Sequence, residues 1–146
     1  MAFMKNIWIA TDGSPGAGRA AVLGGEIAAG LGAAVHIVTV WARVEDSDLR
    51  QFGLSENASY GDIVEANCTA ILKKARDGAE KSGANVAGVH HAAGDPAMVV
   101  LDMIKANKAD AIVVGKRGRG RMQGLLLGSV SQKMVSLAPC TVIVVP

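Results

Sequence analysis

Five glycines and four cations crowd one stretch of this sequence: Gly115-Lys116-Arg117-Gly118-Arg119-Gly120-Arg121, then Gly124, closing on Leu125-Leu126-Leu127-Gly128-Ser129-Val130. Lacking a Cβ, glycine lets main-chain amides come within reach of an anion. If Ser129 opens a helix, its unpaired N–H groups and the positive end of the dipole face the same point, and a phosphate chain is the guest that suits them. The Ser129 hydroxyl adds a donor, or a ligand for a phosphate-associated Mg²⁺. Polar groups also stand at two other strand-to-helix junctions, Asp12-Gly13-Ser14 and Gly94-Asp95. Asp12 is the one acid to nominate near such phosphates, but a lone carboxylate does not define an ATPase, and no catalytic residue is assigned. Asp95, with Pro96 beside it, reads as a helix cap.

Other chemistries fit less well. A P-loop needs Ser or Thr after Gly-Lys, and Gly115-Lys116 is followed by Arg117. Gly16-Ala17-Gly18-Arg19-Ala20-Ala21 matches a dinucleotide fingerprint, but the following strand ends Thr39-Val40-Trp41 without the acid that would hold a ribose. Gly-x-Ser-x-Gly and His-Glu-x-x-His are absent. His90 and His91 occupy neighbouring strand positions, so their rings face opposite ways and cannot readily chelate one metal. Cys68 and Cys140 make no disulfide framework and read as packing residues.

The elements that must position these groups follow from periodicity. Residues 6–11 form a short apolar run; Ser14 then caps a helix whose first position is Pro15 and whose stop is Gly32. Within it, Gly24-Gly25 predicts close packing on a sheet. Residues 35–41 are a β-branched run covered on both faces. The polar stretch 42–60 is a connection that is either functional or partly helical. A second helix is predicted over 62–82, with Val64, Cys68, Ile71, Leu72, Ala75 and Ala79 on one face. Residues 86–93 form an edge strand, Pro96 opens a third helix, 110–114 make a central strand, 129–137 a short helix and 141–145 a last strand. Alternation of strand and helix selects α/β architecture, a parallel sheet with helices on both faces.

The spacing Gly115-x2-Gly118-x9-Gly128-Ser129 resembles the ATP-binding members of the universal stress protein family. The likeness extends through Leu125 to Val130, through Ala138-Pro139-Cys140-Thr141-Val142-Ile143-Val144-Val145, and to the opening Ile9-Ala10-Thr11-Asp12-Gly13-Ser14. The resemblance implies an open five-stranded parallel sheet of order 3-2-1-4-5, as in the adenine nucleotide alpha-hydrolases, with residues 1–146 as one domain. It implies that Asp12 and the Val40 backbone hold the adenosine end of ATP and that Gly115 and Gly118 hold phosphates. It further implies that Gly128, Ser129 and Val130 hold the phosphate chain at the helix start, and that Gly94 lines the cleft. A homodimer is implied as well, and pairing through the last strand, 141–145, would cover an apolar edge. Family members often carry Ser and His after the first motif glycine; Lys116-Arg117 stand there here, and Trp41 is bulky beside the expected base site.

Composition sets the outer bounds. The 146 residues are 50% hydrophobic and 19% charged, with a net charge of +2, which suits a packed core and argues against a general affinity for nucleic acid or membranes. No apolar run approaches the ~20 residues a membrane crossing needs, and a cytoplasmic setting is expected. The reading that follows is an ATP-binding, nucleotide-dependent stress switch or sensor with at most slow hydrolysis. Two alternatives stay open: a Mg²⁺-dependent ATP hydrolase or nucleotidyl-transfer enzyme using Asp12, and an anion or nucleic-acid module using the basic loop 116–121. The scarcity of stacking aromatics weighs against nucleic acid.

Overall fold

Hydrophobic side chains on this sheet alternate strictly between two covers. The computed structural model describes residues 4–42, 58–118 and 126–146. In chain order these form β1 (Asn6–Ala10), α1 (Pro15–Leu31), β2 (Ala34–Trp41), α2 (Ala58–Glu80), β3 (Asn85–Ala93), α3 (Pro96–Ala106), β4 (Ala111–Gly115), α4 (Ser129–Leu137) and β5 (Thr141–Val145). The five strands make one sheet, order β3-β2-β1-β4-β5, with every neighbouring pair parallel. This is the predicted open α/β architecture, with β3 and β5 at its edges.

Ile7, Ile9, Val35, Ile37 and Val113 pack with Ala20 and Ala28 of α1 and Leu72, Ala75 and Ala79 of α2. From the other face Trp8, Val38, Ile112 and Val114 meet Val100 and Ile104 of α3 and Met134 of α4. A one-residue slip of β1 would exchange the two sets and put the Trp8 indole where Ile7 and Ile9 pack against α1 and α2, an overpacking that costs about 1–3 kcal/mol. Register is therefore pinned by the alternation itself.

Helix starts follow the capping chemistry. Ser14 accepts a hydrogen bond from the Ala17 amide at 3.3 Å, and α1 closes on Gly32 at φ +67°. Asp95 caps α3 by accepting from the Met98 amide at 3.0 Å. Gly24 does approach the sheet, since a Cβ there would stand 2.9 Å from Ile9 Cδ1; Gly25 instead lies against the Ala79 backbone, where α1 crosses α2. The start of α2 precedes the apolar period by four residues, because residues 61–63 are exposed and no hydrophobic spacing announces the first turn. Of the stretch 42–60, residues 58–60 are helical, and 43–57 lie outside the described residues.

Candidate functional site

β1 and β4 are neighbours, yet the chain leaves β1 toward β2 on one side and leaves β4 toward β5 on the other. Their carboxyl ends diverge into α1 and α4, and such a reversal of strand order leaves a crevice. A cavity of about 430 Å³ occupies it, within the range of small-molecule sites. Asp12, Ser14, Arg117, Ser129 and Gln132 give it polar groups, while Val38, Val40, Val100, Val114 and Leu127 give it an apolar wall. Gly115, Gly118, Gly128 and Val130 complete the sequence-nominated residues that line it.

The first-strand loop is set by its own side chains. The Ser14 amide donates to Asp12 Oδ1 at 2.9 Å and the Gly13 amide to Thr11 Oγ1 at 3.2 Å, with Gly13 at φ +81°. Across the cavity the glycines serve close packing. A Cβ on Gly115 would stand 3.0 Å from the Gly16 carbonyl carbon and 3.1 Å from the Ala17 nitrogen; one on Gly118 would stand 2.6 Å from Asp12 Oδ2; one on Gly128 would stand 3.3 Å from Arg117 Cα. A side chain at Gly115 would press on the start of α1, one at Gly118 would displace the Asp12 carboxylate, and one at Gly128 would press on the Lys116–Gly118 backbone.

The Lys116 peptide is fixed on both sides. Its N–H donates to the Val145 carbonyl at 2.6 Å, and its carbonyl accepts from the Gly128 amide at 2.8 Å and the Ser131 hydroxyl at 2.9 Å. That brace sets the start of α4 against the loop after β4. Unlike α1 and α3, α4 begins on a residue with no capping side chain, Gly128, and the exposed Ser129 follows it into the cavity lining. Uncapped amides at a helix start leave donors available to a bound group.

Gly94 stands outside the cavity lining: its amide donates to the Trp41 carbonyl at 3.0 Å and its φ of +141° serves the turn between β3 and α3, while Pro96 and Val100 supply that wall. Trp41 does not crowd the cavity either, because strand alternation turns Val38 and Val40 toward it and Trp41 to the opposite face. Arg119 and Arg121 of the basic loop lie outside the described residues. Ser14, read as a cap and as part of the Asp12-Gly13-Ser14 junction, lines the cavity; Ser131 lines it too without having been singled out, its signal being its place one turn into the helix behind Gly128. Among the described residues no three His, Cys, Asp or Glu groups gather as for a metal.

A doubly wound parallel sheet with a cleft at its reversal point defines the class, an open α/β protein whose crevice lies beyond its strand ends. The universal stress protein family model matches residues 4–146, and the chain belongs to that family. A universal stress protein of Thermus aquaticus is 34% identical over 144 residues, covering 97% of this chain and 98% of the relative. A universal stress protein solved in complex with cAMP superposes with a TM-score of 0.73 at 27% identity, over 98% of this chain and 97% of that one. One from Archaeoglobus fulgidus, solved in complex with dAMP, shares the fold with a TM-score of 0.63 at 22% identity, over the whole of both chains.

Proposed function

We propose that this protein, residues 1–146 acting as a single domain, binds an adenine nucleotide in the cleft and works as a nucleotide-dependent stress switch with at most slow hydrolysis. The observation that carries this reading is the uncapped start of α4 facing, across one cavity, an apolar wall of Val38, Val40 and Val100. A flat base fits the valines, and a phosphate chain fits the amides of residues 129 and 130 at the helix start and the glycine loop. Asp12 and the Val40 backbone serve the adenosine end, and Arg117 adds positive charge beside the phosphates. ATP, with Mg²⁺ on its phosphates, is the fullest occupant of both ends. The family relatives solved with cAMP and dAMP support an adenine guest.

The residues present suit Mg²⁺–ATP, in that Ser129 is an exposed hydroxyl at the helix start and Asp12 is the carboxylate across from it. Mg²⁺ would supply charge neutralisation, and the chain itself binds and orients. Titration calorimetry with ATP, AMP, cyclic AMP and adenosine tests the reading. Ser129→Ala should weaken ATP by about fivefold and leave adenosine unchanged, the loss of roughly one hydrogen bond. Absence of binding by all four ligands would overturn it. We further propose a cytoplasmic homodimer that pairs along β5, whose Thr141 is exposed and whose Val142, Ile143 and Val144 are half-buried.

A further inference from the structure

On the α3 face of the sheet, one residue pair back from the cavity, three rings meet from three strands. His36 Nδ1 on β2 and His90 Nε2 on β3 are 3.1 Å apart. Both imidazoles lie nearly parallel to the Trp8 indole of β1, tilted by 12° and 17°, with ring centres 4.9 and 5.0 Å from it. Gly88 makes the room, since a Cβ there would stand 3.0 Å from His90 Nε2 and 3.1 Å from His36 Nδ1.

An N–H···N bond needs one nitrogen protonated and the other bare. The contact therefore survives in the neutral pair and in the singly charged pair. A second added proton leaves two donors and two cations facing each other. Burial, and then the charge on His90, hold His36 below its ordinary value of 6.5. Among the described residues, those α3 turns inward are Ala97, Val100, Leu101 and Ile104, and its charged neighbours Asp95, Asp102 and Lys105 are exposed. From β1 the facing group is Trp8, and His91 is exposed beside His90.

The pair also sits where movement would reach the cleft. β3 is an edge strand bonded only to β2, and its α3-facing residues Gly88, His90 and Ala92 include one large side chain. His90 is level with Val38, which lines the cavity, and α3, packed across β2 and β3, supplies Pro96 and Val100 to the same cavity. We propose that His36 and His90 form a proton-operated latch, closed by one shared N–H···N bond and sprung by a second proton, that loosens β3 and the β2–α3 wall of the cleft on acidification. Its link to ligand affinity rests on the nucleotide reading above; the latch itself does not.

The sequence holds two tryptophans, so Trp41→Phe leaves Trp8 as the fluorescent reporter. Between about pH 7.5 and about pH 5, where histidines change charge, Trp8 emission should fall as the stacked imidazoles become cationic. Amide-exchange protection over residues 88–93, corrected for intrinsic rates, should fall about tenfold or more over the same range. In His36→Gln, or in His90→Gln if the first variant folds poorly, the exchange change should shrink to within about twofold while the remaining stacked imidazole keeps part of the Trp8 response, with circular dichroism at neutral pH as the folding control. Equal pH-dependent exchange in parent and variant would overturn the latch. AMP affinity measured at both pH values should weaken about fivefold more in the parent, and identical profiles would remove the link to the cleft. If the latch signals appear while none of ATP, AMP, cyclic AMP and adenosine binds at either pH, the nucleotide reading fails and the latch stands.

Discussion

Asp12 and Gly118 come from opposite loops of the cleft and are fitted to each other, because the space a Cβ would need at 118 is held by Asp12 Oδ2, 2.6 Å away. Gly118→Ala should therefore displace the carboxylate and weaken ATP by about tenfold, roughly the worth of one charge-assisted contact, while shifting the melting temperature little; calorimetry paired with a thermal scan checks both. Titration at His36 gives a second outcome. Its folded-state value lies below 6.5, so the unfolded chain takes up a proton that the folded chain refuses. Stability is then full above that pH and declines as pH falls through 6.5 toward the folded value. Urea midpoints measured across this window should drop in the parent and flatten in His36→Gln; a parent curve with no slope there would contradict the assignment. The glycine motif could be read from its spacing, and Asp12 from its place directly after the first strand. The histidine pair could not, since its members are 54 residues apart and meet only once β2 and β3 are aligned.

Helices and strands were legible wherever local chemistry marks a boundary. Ser14-Pro15 and Asp95-Pro96 announce the starts of α1 and α3, and Pro139 separates α4 from β5, so these limits agree with the structure to within a residue or two. The solvent-facing first turn of α2 carries no such mark and was missed. Neither was it visible that adjacent glycines serve different partners, for periodicity gives a helix face but not what crosses it. Gly25 touches the Ala79 backbone at the α1–α2 crossing, with no flexible side chain to yield. Gly25→Ala should cost about 3 kcal/mol, the upper part of the overpacking range, whereas Gly30→Ala, with nothing within 4 Å of its Cβ position, should be neutral or stabilising by a few tenths of a kcal/mol up to about 1 kcal/mol. Denaturant unfolding of the two variants side by side distinguishes them.

For the molecule as a whole, the sheet ends on an apolar strand, and α4 beside it exposes Val135 at 55% and Leu137 at 59%. Partial cover on an edge of this kind favours association. Sedimentation at about 10 µM should show a dimer that Val135→Glu with Leu137→Glu converts to monomer, as expected when charge enters an apolar contact; a monomeric parent would refute the pairing. The brace at Lys116 gives that assembly a consequence. Its peptide joins the last residue of β5 to the first turn of α4 through two consecutive backbone bonds, of 2.6 and 2.8 Å. In the proposed dimer, a neighbour that stiffens the rim strand would also stiffen the proposed anion site, and reciprocity would then require a ligand there to tighten the neighbour's grip by the same factor.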